Sequence, residues 1–150
     1  MIFVTVGTTM PFDALIREVD ELVATGTLRE QVIAQIGNGR YAPNHIDSFR
    51  FKPSVDDLMR EATLVVSHGG TGSVFTLLRY RRPFLAVANP AADGDHQKEF
   101  LQAVGKAFGI HWTDDVKDIG SLVGRVATVS YSGDRQRTLG DAIRGSLKAP

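Results

Sequence analysis

Six consecutive residues, His68-Gly69-Gly70-Thr71-Gly72-Ser73, offer the densest chemistry in the chain. Three glycines in four positions follow an apolar run, Leu64-Val65-Val66-Ser67, and precede a helical pattern carried by Val74, Leu77 and Leu78. Glycine turns the backbone sharply and lets a ligand approach the amides closely. A helix that starts there presents free N–H groups and the positive end of its dipole, and a phosphate or diphosphate suits such a place. Thr71 and Ser73 add hydroxyl donors, and His68 can donate an imidazole N–H to a phosphate oxygen. The competing reading is a tight strand–helix turn with a capping serine and no ligand. No Gly-Lys-Ser/Thr follows, so the turn is not the phosphate loop of ATP- and GTP-binding proteins.

A second segment, Asp93-Gly94-Asp95-His96-Gln97, also follows a strand pattern and opens a helix. Asp93 or Asp95 serves equally well as a plain N-cap, with Gln97 solvated; a histidine beside two carboxylates is also a possible metal set. A third segment, Gly37-Asn38-Gly39-Arg40-Tyr41-Ala42, fits the dinucleotide fingerprint, but Pro43 and Asn44 follow at once and no helix continues. It reads as a loop in which Gly37 and Asn38 line a pocket.

The elements that position these segments alternate. Ile2–Val6 is a strand ending in Gly7-Thr8-Thr9; Pro11 opens a helix with Phe12, Leu15, Ile16, Val19, Leu22 and Val23 at helical spacing, closed by Gly26. Strands are expected at 31–36, 49–51, 64–67, 83–87 and 110–112. Helices are expected from Ser54 to Glu61, after the glycine turn, from Asp93 to Phe108, around Ile119–Val126, and around Leu139, Ile143 and Leu147. Strands alternating with helices imply right-handed βαβ units and an α/β doubly wound, mostly parallel sheet. Ligands bind such sheets beyond the carboxyl ends of the strands, which selects the loops at 7–9, 37–39, 68–73 and 88–97.

The chain has 150 residues, enough for a single domain with one real core; residues 109–150 supply C-terminal helices. Acidic and basic residues balance at 17 each, so a nucleic-acid partner is not expected. The absence of cysteine excludes disulfides and thiolate metal sites. The first strand begins at Met1-Ile2-Phe3 and no apolar run approaches the roughly 20 residues that cross a bilayer, so a cytoplasmic protein is expected. Arg79, Arg81 and Arg82 suit a helix C-terminus, with contact to anionic lipid as a second reading. Arg135, Arg137 and Arg144 read as the solvated face of the last helix.

Phe3-Val4-Thr5-Val6-Gly7-Thr8-Thr9, Pro11-Phe12-Asp13, Leu15-Ile16, Val66 to Ser73 and Asp95-His96-Gln97 together resemble the C-terminal domain of the family 28 glycosyltransferases. Within it, they look most like half-sized members: the PssE-like exopolysaccharide subunits and the catalytic subunit of dolichol-linked N-acetylglucosaminyl transfer. The resemblance runs from Met1 to about Phe108. It implies one half of a two-domain (GT-B) transferase, with the donor half binding a UDP-sugar, needing no cofactor, and a membrane-associated partner subunit binding the acceptor. By position, His68, Gly70, Thr71, Gly72 and Ser73 would hold the diphosphate, with His68 stabilising the leaving group. Gln97, with Asp95 or His96, would reach the sugar, and Gly7, Thr8 and Thr9 would face the cleft between the halves. Many relatives place a ribose-binding glutamate where this chain has Thr76. A threonine accepts one hydrogen bond but cannot clamp a diol. The resemblance also implies inversion at the anomeric carbon, and a metal is dispensable if helix and backbone donors replace it. The chemistry itself requires stabilised negative charge on the leaving group and a base for the acceptor hydroxyl. His45, Asp47 and His111 are unassigned, and lone histidines are more often structural or surface residues than bases, so the base, or much of the acceptor site, is expected from the partner. An accessory subunit without catalysis is the alternative, and a homodimer over the exposed cleft face is expected if the partner is absent.

Overall fold

The structure is a computed structural model in which residues 1–92 and 95–126 are described. The helix expected around Leu139, Ile143 and Leu147, the three arginines on it, and Asp93 lie outside the described residues. Six strands, β1 (Ile2–Thr5), β2 (Val32–Gln35), β3 (Asp47–Phe49), β4 (Leu64–His68), β5 (Phe84–Val87) and β6 (His111–Thr113), form one sheet in the order β3-β2-β1-β4-β5-β6. All five pairings are parallel. The crossovers carry α1 (Asp13–Ala24), α2 (Asp56–Glu61), α3 (Thr71–Tyr80) and α4 (His96–Phe108); a short 3-10 turn and α5 (Ile119–Val126) follow β6. This is the doubly wound architecture that the alternation predicts.

A parallel sheet covered on both faces has apolar residues at every strand position, without alternation. In β1 every residue is buried: Ile2 and Val4 pack with Leu15, Ile16 and Val19 of α1, while Phe3 packs on the other face with Leu77, Val104 and Phe84. Each buried side chain of this size contributes about 1.5–3 kcal/mol.

Several boundaries differ from the sequence expectation. β3 lies two residues earlier than 49–51, because Phe49 pairs with Gln35 and stacks on Phe3 at 6.4 Å, whereas Phe51 lies beyond the sheet, 47% exposed. Pro11 does not open α1. Its carbonyl accepts a hydrogen bond from Asn89 Nδ2 (3.0 Å), which holds it in the loop, and Phe12 occupies the N-cap position. Ser54 is not the N-cap of α2; Val55 is, and the Ser54 hydroxyl instead accepts the Asp56 N–H (3.2 Å). α4 begins at His96, with Asp95 at the N-cap position but its carboxylate bonding no backbone N–H. β6 starts one residue late, because Ile110 turns into the core.

Candidate functional site

The strand order runs outward in both directions from the β1–β4 pair, so the loops after these two strands meet at the point where the winding reverses. Side-by-side loops at the carboxyl ends of such strands leave a crevice. A cleft of about 550 Å³ opens there. Thr5, Gly7, Thr8 and Thr9 line it from the β1 side, and His68, Gly70, Gly72 and Ser73 from the β4 side. A smaller cleft of about 240 Å³ lies across the glycine turn, lined by Gly69, Gly70, Thr71, Ala92, His96, Gln97 and Phe100. Ten of the expected site residues, Gly7, Thr8, Thr9, His68, Gly70, Thr71, Gly72, Ser73, His96 and Gln97, are therefore gathered at one edge but split over two hollows, with Gly70 shared between them.

Packing accounts for two of the turn's three glycines. A Cβ on Gly70 would run into the His68 ring, and a Cβ on Gly69 would stand 2.8 Å from Leu101 Cδ1 of α4. Gly7, at φ +76°, has no room for a Cβ either, because the His68 imidazole fills that space. The ring is thus held between Gly7 and Gly70. Gly72 differs, since a Cβ there would meet nothing within 4 Å. Internal packing leaves Gly72 unexplained, whereas close approach of a ligand would explain it.

Burial lowers the His68 imidazole to about 4, so it is neutral near pH 7 and carries one N–H. Its Nε2 lies 3.3 Å from the Ser73 hydroxyl. No side chain caps α3. Its first-turn amides therefore face the loop with the positive end of the helix dipole behind them.

The remaining expected residues sit as follows. Gln97 Oε1 accepts the backbone N–H of Asn89 (2.9 Å). A backbone N–H is a donor only, so the Gln97 amide hydrogens are left for the small cleft. His96 lines that cleft; Asp95 is exposed and lines neither. Thr76 also lines neither, and its hydroxyl donates to Gly72 O one turn back (2.8 Å). Gly37 is buried beneath the β1 loop, where a Cβ would sit 3.3 Å from Gly7 O, and Asn38 is exposed; neither lines either cleft. No helix follows Gly37–Ala42, as Pro43 requires. His45, Asp47 and His111 line neither cleft. Among the described residues no three His, Asp or Glu side chains group as a metal set.

Sequence reasoning missed one segment and three single residues. The segment Lys52–Asp56 forms a wall of the large cleft, and Thr5 and Gln35 form part of its lining at the ends of β1 and β2. Asn89, 3% exposed, ties the β1 loop through Pro11 O to its own loop through Ala91 N (3.1 Å). A polar residue in an apolar strand, such as Gln35 in Val-Ile-Ala-Gln, was the available signal.

Comparison with known proteins gives the lineage. The glycosyltransferase family 28 C-terminal domain matches residues 1–136. The UDP-N-acetylglucosamine transferase subunit ALG13 of Homo sapiens is 35% identical over 116 residues, 70% of this chain but 10% of that protein. ALG13 of Yarrowia lipolytica is 29% identical over 135 residues, 81% of this chain and 69% of that protein. This chain thus spans only about a tenth of the human relative it matches. Among solved structures, Acinetobacter baumannii MurG superposes with a TM-score of 0.63 at 15% identity, over 98% of this chain and 45% of MurG. The glycosyltransferase of kitacinnamycin gives 0.61 at 17%, over 97% and 39%. The solution structure of ALG13 gives 0.53 at 21%, over 85% and 84%. The fold is that of one half of the two-domain glycosyltransferases. With a match over residues 1–136, the chain belongs to the glycosyltransferase family 28 C-terminal domain family.

Proposed function

We propose that this chain is the UDP-sugar-binding half of a glycosyltransferase whose acceptor half is a separate, membrane-associated subunit. The names of its ALG13 relatives make UDP-N-acetylglucosamine the donor we favour and speak for no exopolysaccharide role. The observation that carries the reading is the uncapped start of α3, with Gly72 open beside it, at the sheet's reversal point. There the diphosphate accepts hydrogen bonds from first-turn amides, from Thr71 and Ser73, and from the single N–H of neutral His68. Gln97 offers its amide hydrogens to a sugar hydroxyl oxygen, with His96 beside it.

In the transfer, the acceptor hydroxyl oxygen bonds to the anomeric carbon while the bond from that carbon to the β-phosphate oxygen breaks. The configuration inverts, and the hydroxyl proton passes to a base on the partner. Negative charge then grows on the departing UDP, where preorganised amides, the helix dipole and His68 stabilise it without a metal ion. No helix among the described residues is long and apolar enough to cross a membrane. In this reading the partner subunit holds the pair at the cytoplasmic face.

One observation favours the accessory alternative: Thr76, at the position where many relatives carry a ribose-binding glutamate, lines neither cleft. Substituting His68→Ala or Gln97→Ala in the co-expressed pair separates the two. A donor half loses at least tenfold in N-acetylglucosaminyl transfer while the pair still co-purifies. An accessory subunit keeps near-normal transfer.

A further inference from the structure

We infer that Gln35, at the carboxyl end of β2, reads the bound nucleotide directly, its side-chain NH2 donating to an acceptor oxygen of the nucleoside diphosphate. The inference rests on the UDP reading above and adds a residue to it. Gln35 is 3% exposed and lines the large cleft. Its Oε1 accepts the Thr5 hydroxyl (2.8 Å), and that hydroxyl in turn accepts the Gly7 N–H (3.1 Å). In this arrangement the Thr5 hydroxyl donates once and accepts once. The reverse amide orientation would leave the Thr5 hydroxyl hydrogen buried without an acceptor. Thr5 therefore fixes the Gln35 oxygen inward and leaves the NH2 as the group without a protein partner among the described residues.

The amide hydrogens are not sealed from the cleft, since among the described residues only Arg82 Nε is a buried side-chain polar atom without a hydrogen-bond partner. A primary amide fixed by Thr5 with its hydrogens open to a cleft at a strand's carboxyl end is placed to donate to a ligand oxygen. Position indicates which ligand. Gln35 pairs in register with Thr5, and Thr5 with Ser67, so it stands two strand spacings, about 10 Å, from β4 and the glycine turn. A lone phosphate at α3 would not reach it; an extended nucleotide lying across the cleft would.

The test is calorimetric titration of the full chain with UDP and with UMP, for the wild type, Gln35→Met and Gln35→Glu, with folding checked by circular dichroism. Gln35→Met removes the donor at similar volume. Gln35→Glu keeps an acceptor for Thr5 but offers the ligand only oxygens, and it carries the test alone if Gln35→Met fails to fold. Loss of one such hydrogen bond predicts UDP binding about tenfold weaker in Gln35→Met, and at least as weak in Gln35→Glu. An equal loss with UMP assigns the oxygen to the uridine monophosphate part and supports the inference; a loss confined to UDP puts the contact on the β-phosphate, contradicts a nucleotide lying across the cleft from the glycine turn to β2, and overturns it. Wild-type binding that both variants retain overturns the inference and leaves the UDP reading standing. Failure of the wild type to bind UDP overturns both.

Discussion

Two glycine-rich loops leave this sheet, at Gly37–Ala42 after β2 and at His68–Ser73 after β4, and they end in opposite states. In the first, the polar groups are used by the protein. The Arg50 guanidinium donates to the carbonyls of Gly37 and Gly39 (2.9 Å each), and the Asp13 carboxylate accepts the Arg40 N–H. Further along the same connection, buried Asp20 accepts the Tyr41 hydroxyl (2.6 Å) and the N–H groups of Asn44 and His45 (3.0 and 2.7 Å). Burial alone would raise the Asp20 carboxyl, but these hydrogen bonds outweigh it and hold it below the ordinary carboxylate range. In the second loop no side chain caps the following helix, and Gly72 faces open space. Both loops are rich in glycine, yet one is closed upon itself and the other is left open. Glycine content alone does not mark a binding site; what matters is whether the protein consumes the donors that glycine exposes.

The sharpest way to break the closed loop is Asp20→Ala. Three hydrogen bonds to a buried carboxylate disappear, so urea unfolding should show a loss of about 3 kcal/mol. UDP affinity should change little, because the Asp20 contacts are not in either cleft. A large loss of affinity without loss of stability would reverse the contrast between the two loops.

A smaller effect comes from the open loop's own histidine. The unfolded chain takes up a proton on His68 near pH 6.5, and the folded chain only near pH 4. The contribution of neutral His68 is therefore present above pH 6.5 and is lost as pH falls from there toward 4. In His68→Asn, the decline in unfolding free energy between pH 7 and 4.5 should be shallower than in the wild type. Equal slopes would mean that the ring is not shielded between Gly7 and Gly70.

The legibility of these two loops from sequence was uneven for physical reasons. Pro43 alone denied a helix to the Gly37 loop, and periodicity placed α1, α3 and α4 and the parallel sheet. The glycine turn was legible as a turn, but the reason for each glycine was not. Gly69 answers to Leu101, 32 positions away, which leaves no local signal, and Gly70 answers to the His68 ring, whose place is set by the packing around it rather than by residue order. Gln35 carried a local signal as a polar residue in an apolar strand, but its partner Thr5 and the Pro11 partner of Asn89 are 30 and 78 residues distant, so what each side chain does was not legible. Strand and helix ends shifted by one to three residues wherever a tertiary contact, such as Asn89 on Pro11, overrode the local rule.

Gly72 gives the most direct test, because it is the turn glycine for which the protein itself offers no steric reason. Calorimetric titration of the wild type and of Gly72→Val with UDP, beside ATP and NAD, with and without magnesium, measures that reason. The account predicts selective, magnesium-independent UDP binding by the wild type and a loss of at least tenfold in Gly72→Val. The thermal midpoint should be unchanged or raised, since a Cβ there meets nothing within 4 Å and glycine is the poorer helix former. Binding of UDP that is undiminished by Gly72→Val, or no preference for UDP over ATP and NAD, would contradict it.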